Sequence, residues 1–275
     1  MVYFETSEYK ERVKKTKEAM HHRGIEVLLI ADPANMNYLT GYDGWSFYVH
    51  QGVIVALNRE EPIWFGRQQD SNGARITTWL QDENVHGYTD DYVQSRVKHS
   101  MSFVADLLKD IGCEGKNLGV EMDNYYFTGR CLDQLRHDLP SNTIKNGDLI
   151  VNWVRSIKSD KEIAFMRMAS RIVEKVMRTA IDSIDVGKRE GDAAANVYYA
   201  QMSGTPEFTG DYSAIIPIMP SGIRTSTAHL SWVDREYEKG DVVLLELSGC
   251  KNRYHAPLSR TVYLGKPPAE LEDIA

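Results

Sequence analysis

The chain has 275 residues, 42% of them hydrophobic, with 32 Lys+Arg against 39 Asp+Glu and a formal net charge of −7 at pH 7. That balance describes a folded globular protein with room for one large or two modest domains, and it excludes disorder as the main state. Net acidity without a long basic run also argues against nucleic acid as a partner.

No window approaches the roughly 18–20 uninterrupted apolar residues that span a bilayer, and the N-terminus places charges where a signal peptide needs its apolar stretch. The expectation is a cytoplasmic protein with no membrane partner. Cys113, Cys131 and Cys250 are too few and too far apart for a disulfide framework or a Cys-rich zinc site.

In chain order, Ser7 is placed to cap a helix whose residues Tyr9, Val13, Thr16 and Met20 recur at helical spacing, with Gly24 closing it. Residues 27–31 read as a short strand. Asp32-Pro33 breaks it into a loop, and residues 53–57 and 63–65 read as a hairpin around a polar turn. Helices are predicted over 69–80 and 100–111, a strand over 118–121, a helix over 126–135 and a strand over 149–154. Strands alternating with helices imply an α/β domain with a mixed sheet, assigned to residues 1–155.

The second domain is assigned to residues 156–275. Ser159-Asp160-Lys161-Glu162 is a capping box, and Ile163, Met166, Ala169, Val173, Val176, Ala180 and Ile184 keep an apolar stripe until Val186-Gly187. A second helix is predicted over 190–202, followed by strands over 213–218, 242–248 and 261–264, an α+β pattern. After Pro267-Pro268 the chain reads as the acidic first turn of a helix.

Phosphate-binding GxxxxGK[ST], GxGxxG, HExxH and GxSxG motifs are absent. Three features stand out instead. Glu246 interrupts the run Val-Val-Leu-Leu-Glu-Leu, which reads as a strand buried on both faces; a carboxylate there costs several kcal/mol unless paired, so it points to a site or else to a strand edge or an ion pair with Arg253 or Arg260. His229 follows a loop rich in Ser and Gly, where an imidazole can move protons or simply be solvated. His255 has the same two readings, and Arg260 beside it reads as a structural ion pair or an anion contact.

With these residues in view, the chain resembles the pita-bread family of creatinase, prolidase, aminopeptidase P and methionine aminopeptidase: a smaller α/β domain, a helix opening at Lys158-Ser159-Asp160-Lys161-Glu162-Ile163, and a strand leading into Arg260-Thr261. Residues 32–48, 90–94 and 254–261 look most like the ectoine hydrolase branch. Metallopeptidases of this fold place an Asp five residues after the Asp of a Gly-Asp pair and a second Asp eleven residues further on, both binding a dinuclear metal centre. Counting from Asp241 puts Glu246 at the first place and Pro257 at the second, so the resemblance implies an enzyme without metal, as in creatinase. The creatinase Pro-Ser-Gly-x6-His stretch is matched by Pro220-Ser221-Gly222 and His229.

The resemblance implies hydrolysis of a small cyclic amidine bearing a carboxylate. His229 and Glu246 are the expected catalytic residues, the first moving protons and the second facing the amidinium. Arg260, Arg253 and His255 are expected at the substrate, and Tyr42, Trp45 and Phe47 are expected to form an aromatic wall across a homodimer. No cofactor is expected; the alternatives are an Xaa-Pro metallopeptidase using Mn, Co or Zn, and a binding protein derived from the fold. Because relatives continue beyond the strand ending at Gly265, the second domain is expected to be truncated, with a sheet edge exposed near 262–264, and the chain weakly active or inactive alone.

Overall fold

A computed structural model describes residues 2–274, and the chain divides into two compact units, 1–157 and 158–275. Within unit 1, α1 (Thr6–His22) is followed by β1 (Val27–Ile30), α2 (Pro33–Thr40), the hairpin strands β2 (Gly52–Ala56) and β3 (Ile63–Arg67), α3 (Ser71–Thr77) and β4 (Val85–Tyr88). Then come α4 (Ser100–Asp110), β5 (Asn117–Val120), α5 (Gly129–Asp138), β6 (Thr143–Asn146) and α6 (Ile150–Val154). The six strands form one sheet in the order β4-β3-β2-β1-β5-β6. It is mixed as expected: β1–β2 and β2–β3 are antiparallel, the other pairs parallel.

Every residue of β1 and β2 is buried. On one sheet face Val27, Leu29, Ile54 and Leu118 pack with Val104 and Leu108 of α4 and Cys131 and Leu135 of α5. Each such aliphatic side chain stabilises by roughly 1.5–3 kcal/mol through the surface it removes from water. In α1 the predicted stripe Tyr9, Val13, Thr16 and Met20 is buried, though the N-cap is Glu5, without a side-chain cap, rather than Ser7.

Two local expectations in this unit are corrected. The predicted loop after Asp32 is helix α2: Asp32 caps it by accepting the Asn35 N–H at 2.9 Å, and Pro33 occupies the first turn, where a missing N–H costs nothing. The predicted strand over 149–154 is the short helix α6, which begins after Leu149 in the left-handed region (φ 63°). Strands β4 and β6, which the sequence does not announce, lie at the two edges of the sheet and carry no continuous apolar run.

Unit 2 holds α7 (Asp160–Ser183), α8 (Glu190–Ser203), the hairpin strands β7 (Val242–Lys251) and β8 (Tyr254–Tyr263), and α9 (Ala269–Ile274). The capping box is formed: Glu162 N–H donates to Ser159 Oγ at 3.3 Å and Ser159 N–H to Glu162 Oε2 at 2.7 Å. Ala169, Ile172, Val173, Val176 and Ala180 of α7 pack against Val243, Leu245 and Leu247 of β7, while Ile163 and Met166 from the predicted stripe are exposed. Gly249 lets the strand touch the helix backbone: a Cβ there would lie 2.2 Å from the Ala169 carbonyl oxygen. The predicted strand over 213–218 makes only a bridge, Ile218 to Glu246, because Pro217 and Pro220 have no N–H for a ladder.

Candidate active site

In unit 2 the candidate residues belong to β7 and the chain segment beside it. Glu246 N–H donates to the Ile218 carbonyl at 3.0 Å, Ile218 N–H returns to Glu246 O at 3.2 Å, and Leu244 N–H reaches Pro220 O at 3.1 Å. Strand β7 therefore runs between β8 and residues 218–221. Antiparallel register pairs Leu244 with Thr261, Glu246 with Ser259 and Ser248 with Pro257. Directly opposed residues share a sheet face, so Glu246, Ser259 and Pro257 stand together on the face opposite Val243, Leu245 and Leu247.

Glu246 is exposed, which corrects the expectation of a strand buried on both faces. Only its odd-numbered neighbours are packed on α7. A solvated carboxylate needs no partner to be charged, and it is open to a cationic ligand. Arg260 is also exposed, its guanidinium donating to the Ser259 carbonyl at 2.7 Å. It is paired with Leu245, so it leaves the hairpin from the other face and does not share a surface with Glu246.

His229 stands exposed at a turn with φ 62°, in the left-handed region that a non-glycine residue adopts at a cost. No hydrogen bond or ion pair links it to Glu246 among the described residues. The turn that leads to it is anchored by a residue that the sequence does not single out. Glu190, fully buried at the start of α8, accepts the Ser221 hydroxyl and, at 2.7 Å, the Val233 N–H. Arg224 lies 3.4 Å and Arg235 3.6 Å from its carboxylate. Arg235 also donates to Ser221 Oγ and lies 3.1 Å from Asp241 of the Gly-Asp pair. Two guanidinium groups and two further donors offset the desolvation of one buried carboxylate, and together they fix the Pro-Ser-Gly turn. The only signal in the sequence is an acidic first helical turn, which reads as helix-dipole chemistry.

His255 and Arg253 are engaged elsewhere. His255 Nε2 accepts the Ala214 N–H at 3.0 Å, and burial pushes its pKa down, with Arg253 and Asp211 acting as smaller, opposed influences. The Arg253 guanidinium lies 3.7 Å above the Tyr212 ring, at the hairpin turn where Asn252 and Arg253 both have positive φ. Both residues thus tie the hairpin to residues 211–214.

The aromatic residues of unit 1 divide. Tyr42 is core, correcting its place in an aromatic wall: it is buried, donates to Gln51 Oε1 at 2.8 Å, packs 5.2 Å from Trp64, and burial raises its pKa. Trp45 is 70% exposed and edge-on to Phe47, which packs on Tyr126. Phe47 and Tyr48 line a cavity of about 390 Å³ together with Tyr92 and Gln94. Two of the three segments carrying the family resemblance, 32–48 and 90–94, therefore meet at one cavity. At its floor His50 and His99 face each other (rings 5.1 Å apart), and His50 Nε2 is 3.4 Å from Cys131 Sγ. Burial lowers the pKa of both imidazoles, His99 to about 4, and raises that of the Cys131 thiol.

The dinuclear centre implied by the fold does not fit the residues at its two Asp positions. Glu246 and Pro257 share a face, but proline has no ligating side chain, so this pair cannot supply two carboxylates to two dications.

Known proteins bear on both units. Residues 12–157 match the Creatinase/Prolidase N-terminal domain, and residues 164–275 match metallopeptidase family M24. An uncharacterized hydrolase/peptidase of Sinorhizobium fredii is 43% identical over 275 residues, covering 100% of this chain and 70% of its own. The ectoine hydrolase of Halomonas elongata is 42% identical over 273 residues, covering 97% of this chain and 68% of its own. The crystal structure of prolidase from Thermococcus sibiricus, 21% identical, superimposes with a TM-score of 0.80 over 97% of this chain and 68% of its own, a likeness of fold. The chain belongs to the hydrolase family that joins a creatinase/prolidase N-terminal domain to an M24 pita-bread domain.

Proposed function

We propose that the chain opens the ring of a small cyclic amidine carrying a carboxylate, an ectoine-type substrate, without a metal ion. The carrying observation is the 42% identity to the Halomonas elongata ectoine hydrolase over nearly the whole chain. Proline at position 257, on the sheet face that also bears Glu246, supports a reaction that leaves metal out of its chemistry.

Hydrolysis adds water to the amidine carbon and breaks one C–N bond. His229 takes a proton from the attacking water and returns it to the departing nitrogen. Its imidazole is solvent-exposed on a turn whose base is locked by Glu190, so the ring can reach a ligand while the backbone stays placed. Glu246, exposed and negative, pairs with the amidinium and favours the protonated, electrophilic form. In the homodimer we infer, Trp45 and Phe47 contribute an aromatic surface to this cation.

Incubation with ectoine followed by proton NMR tests the reading, with binding measured separately by calorimetry. Ectoine is expected to bind and, in this 275-residue chain, to open slowly if at all; His229→Ala is expected to remove whatever turnover is present with binding retained. Failure of ectoine to bind, together with metal-dependent cleavage of Xaa-Pro dipeptides, overturns the proposal.

A further inference from the structure

Unit 1 contains a cluster that the hydrolytic chemistry leaves unused. His50, His99 and Cys131 come from three separate places: the approach to β2, the N-cap of α4 and the first turn of α5. One ligand atom from each lies within 4.8 Å of the other two, and among the described residues no other group of three or more His, Cys, Asp or Glu side chains converges in this way. Cys131 is fully buried and His99 nearly so, while His50 and His99 border the 390 Å³ cavity. Soft and borderline ligands on one side and an open, water-accessible position on the other make a three-coordinate protein site with room for a fourth ligand.

We propose that His50, His99 and Cys131 bind one zinc ion whose fourth position faces the cavity. Donor separations around tetrahedral zinc are about 3.3–3.8 Å, given Zn–N near 2.0 Å and Zn–S near 2.3 Å. The His50 Nε2 to Cys131 Sγ distance of 3.4 Å already falls in that range. His50 is oriented to ligate through Nε2. Its Nδ1 is 2.7 Å from Ser100 Oγ, which can accept the Nδ1–H and leave the Nε2 lone pair directed at the thiol. Cys131 sits in the first turn of α5, next to Arg130; burial raises its thiol pKa, hydrogen bonds there and Arg130 offset part of that rise, and a bound dication would supply the rest of the charge a thiolate needs. Thr128 Oγ1 accepts the Cys131 N–H at 3.3 Å and lies 3.3 Å from Sγ, within reach to donate its hydroxyl proton to a thiolate. His99 carries the cost. Its Nδ1 now accepts the Met101 N–H at 3.1 Å, so either ring nitrogen binds metal only by giving up that cap bond. On binding, the Cys131 S–H bond breaks, the Zn–S bond forms and the proton leaves to solvent.

Zinc here would clamp the starts of α4 and α5 to the chain entering β2, and its open position would present a Lewis acid to whatever fills the aromatic cavity. The whole 275-residue chain, stripped with a chelator and titrated with Co²⁺, provides the experiment. The expected result is a near-ultraviolet thiolate-to-cobalt charge-transfer band that saturates at one equivalent and disappears on adding Zn²⁺. Cys131→Ser should abolish the band, and Cys250→Ser should leave it intact. Should Cys131→Ser fail to fold by far-ultraviolet circular dichroism, His50→Gln replaces it and should weaken cobalt binding by more than the roughly 10–100-fold that losing an outer-shell partner costs. Absence of the band in folded wild type, or its persistence in Cys131→Ser, overturns the proposal; so does unchanged affinity in His50→Gln. Cobalt taken up without a thiolate band locates the metal elsewhere and overturns it equally.

Discussion

Glu121 in unit 1 and Glu190 in unit 2 are both buried carboxylates, and the two units accommodate them differently. Glu121 is held by neutral donors alone: Ala31 N–H at 2.8 Å, Asp32 N–H at 2.7 Å and the Asn35 amide at 2.7 Å. Glu190 is held between two guanidinium groups and a serine hydroxyl. The first arrangement joins the end of β1 to α2 inside a closed core. The second fixes a turn whose next residues are solvent-exposed and whose imidazole is the proposed acid and base. Neutral dipoles suffice where nothing has to stay charged, whereas a charged cage gives a fixed base to a loop that must present a reactive group.

Removing the charge from each cage separates the two cases. Glu190→Gln leaves Arg224 and Arg235 facing a neutral amide, and it is expected to cost about 3–5 kcal/mol in urea denaturation, with ectoine turnover falling as the Pro-Ser-Gly turn loosens. Gly249→Ala probes the packing of β7 on α7 rather than charge. Its methyl group would overlap the α7 backbone, so a loss of about 1–3 kcal/mol is expected from the same measurement, centred on unit 2.

Acidity gives a finer contrast. Burial raises the Glu121 pKa above its ordinary value of 4.5, so its protonated form is favoured in the folded protein. Its contribution is complete below pH 4.5 and is lost as pH rises through the folded pKa. Burial lowers the His255 pKa below 6.5, so its contribution is complete above that pH and is lost as pH falls through the folded value. Stability-versus-pH curves for Glu121→Gln and His255→Gln, each subtracted from wild type, should therefore slope in opposite senses. Parallel curves would remove the distinction between the units. The smallest effect is expected at Trp45→Ala, within about 0.5 kcal/mol by thermal denaturation, because this ring is largely solvated in the single chain.

Much of this architecture can be read from residues in sequence order. The capping box at Ser159, the stripe from Ala169 to Ala180 and the hairpin of β2 and β3 are local signals, and the structure contains them. The short helices are less legible. Asp32-Pro33 reads as a breaker although the same pair is a good helix start, and the apolar run at 150–154 looks like a strand until the left-handed conformation of Leu149 is known. Glu246 reads as buried because Val-Val-Leu-Leu shows no alternation, yet one face of the strand packs on α7 and the other does not. The cluster of His50, His99 and Cys131 leaves no trace in spacing, since it forms only when the sheet brings three distant segments together.

The carboxylate of Glu162 does more than cap a helix. While one oxygen accepts the Ser159 N–H, the other accepts the Tyr254 hydroxyl at 2.8 Å, at the start of β8. The first turn of α7 and the tip of the hairpin are therefore fastened to the same side chain. Fraying at either end breaks a bond at the other, which couples local openings that would otherwise be independent. In native-state hydrogen exchange, the amides of that first helical turn and those beside Tyr254 should open as one cooperative group, and replacing Tyr254 with Phe should let them exchange at separate rates.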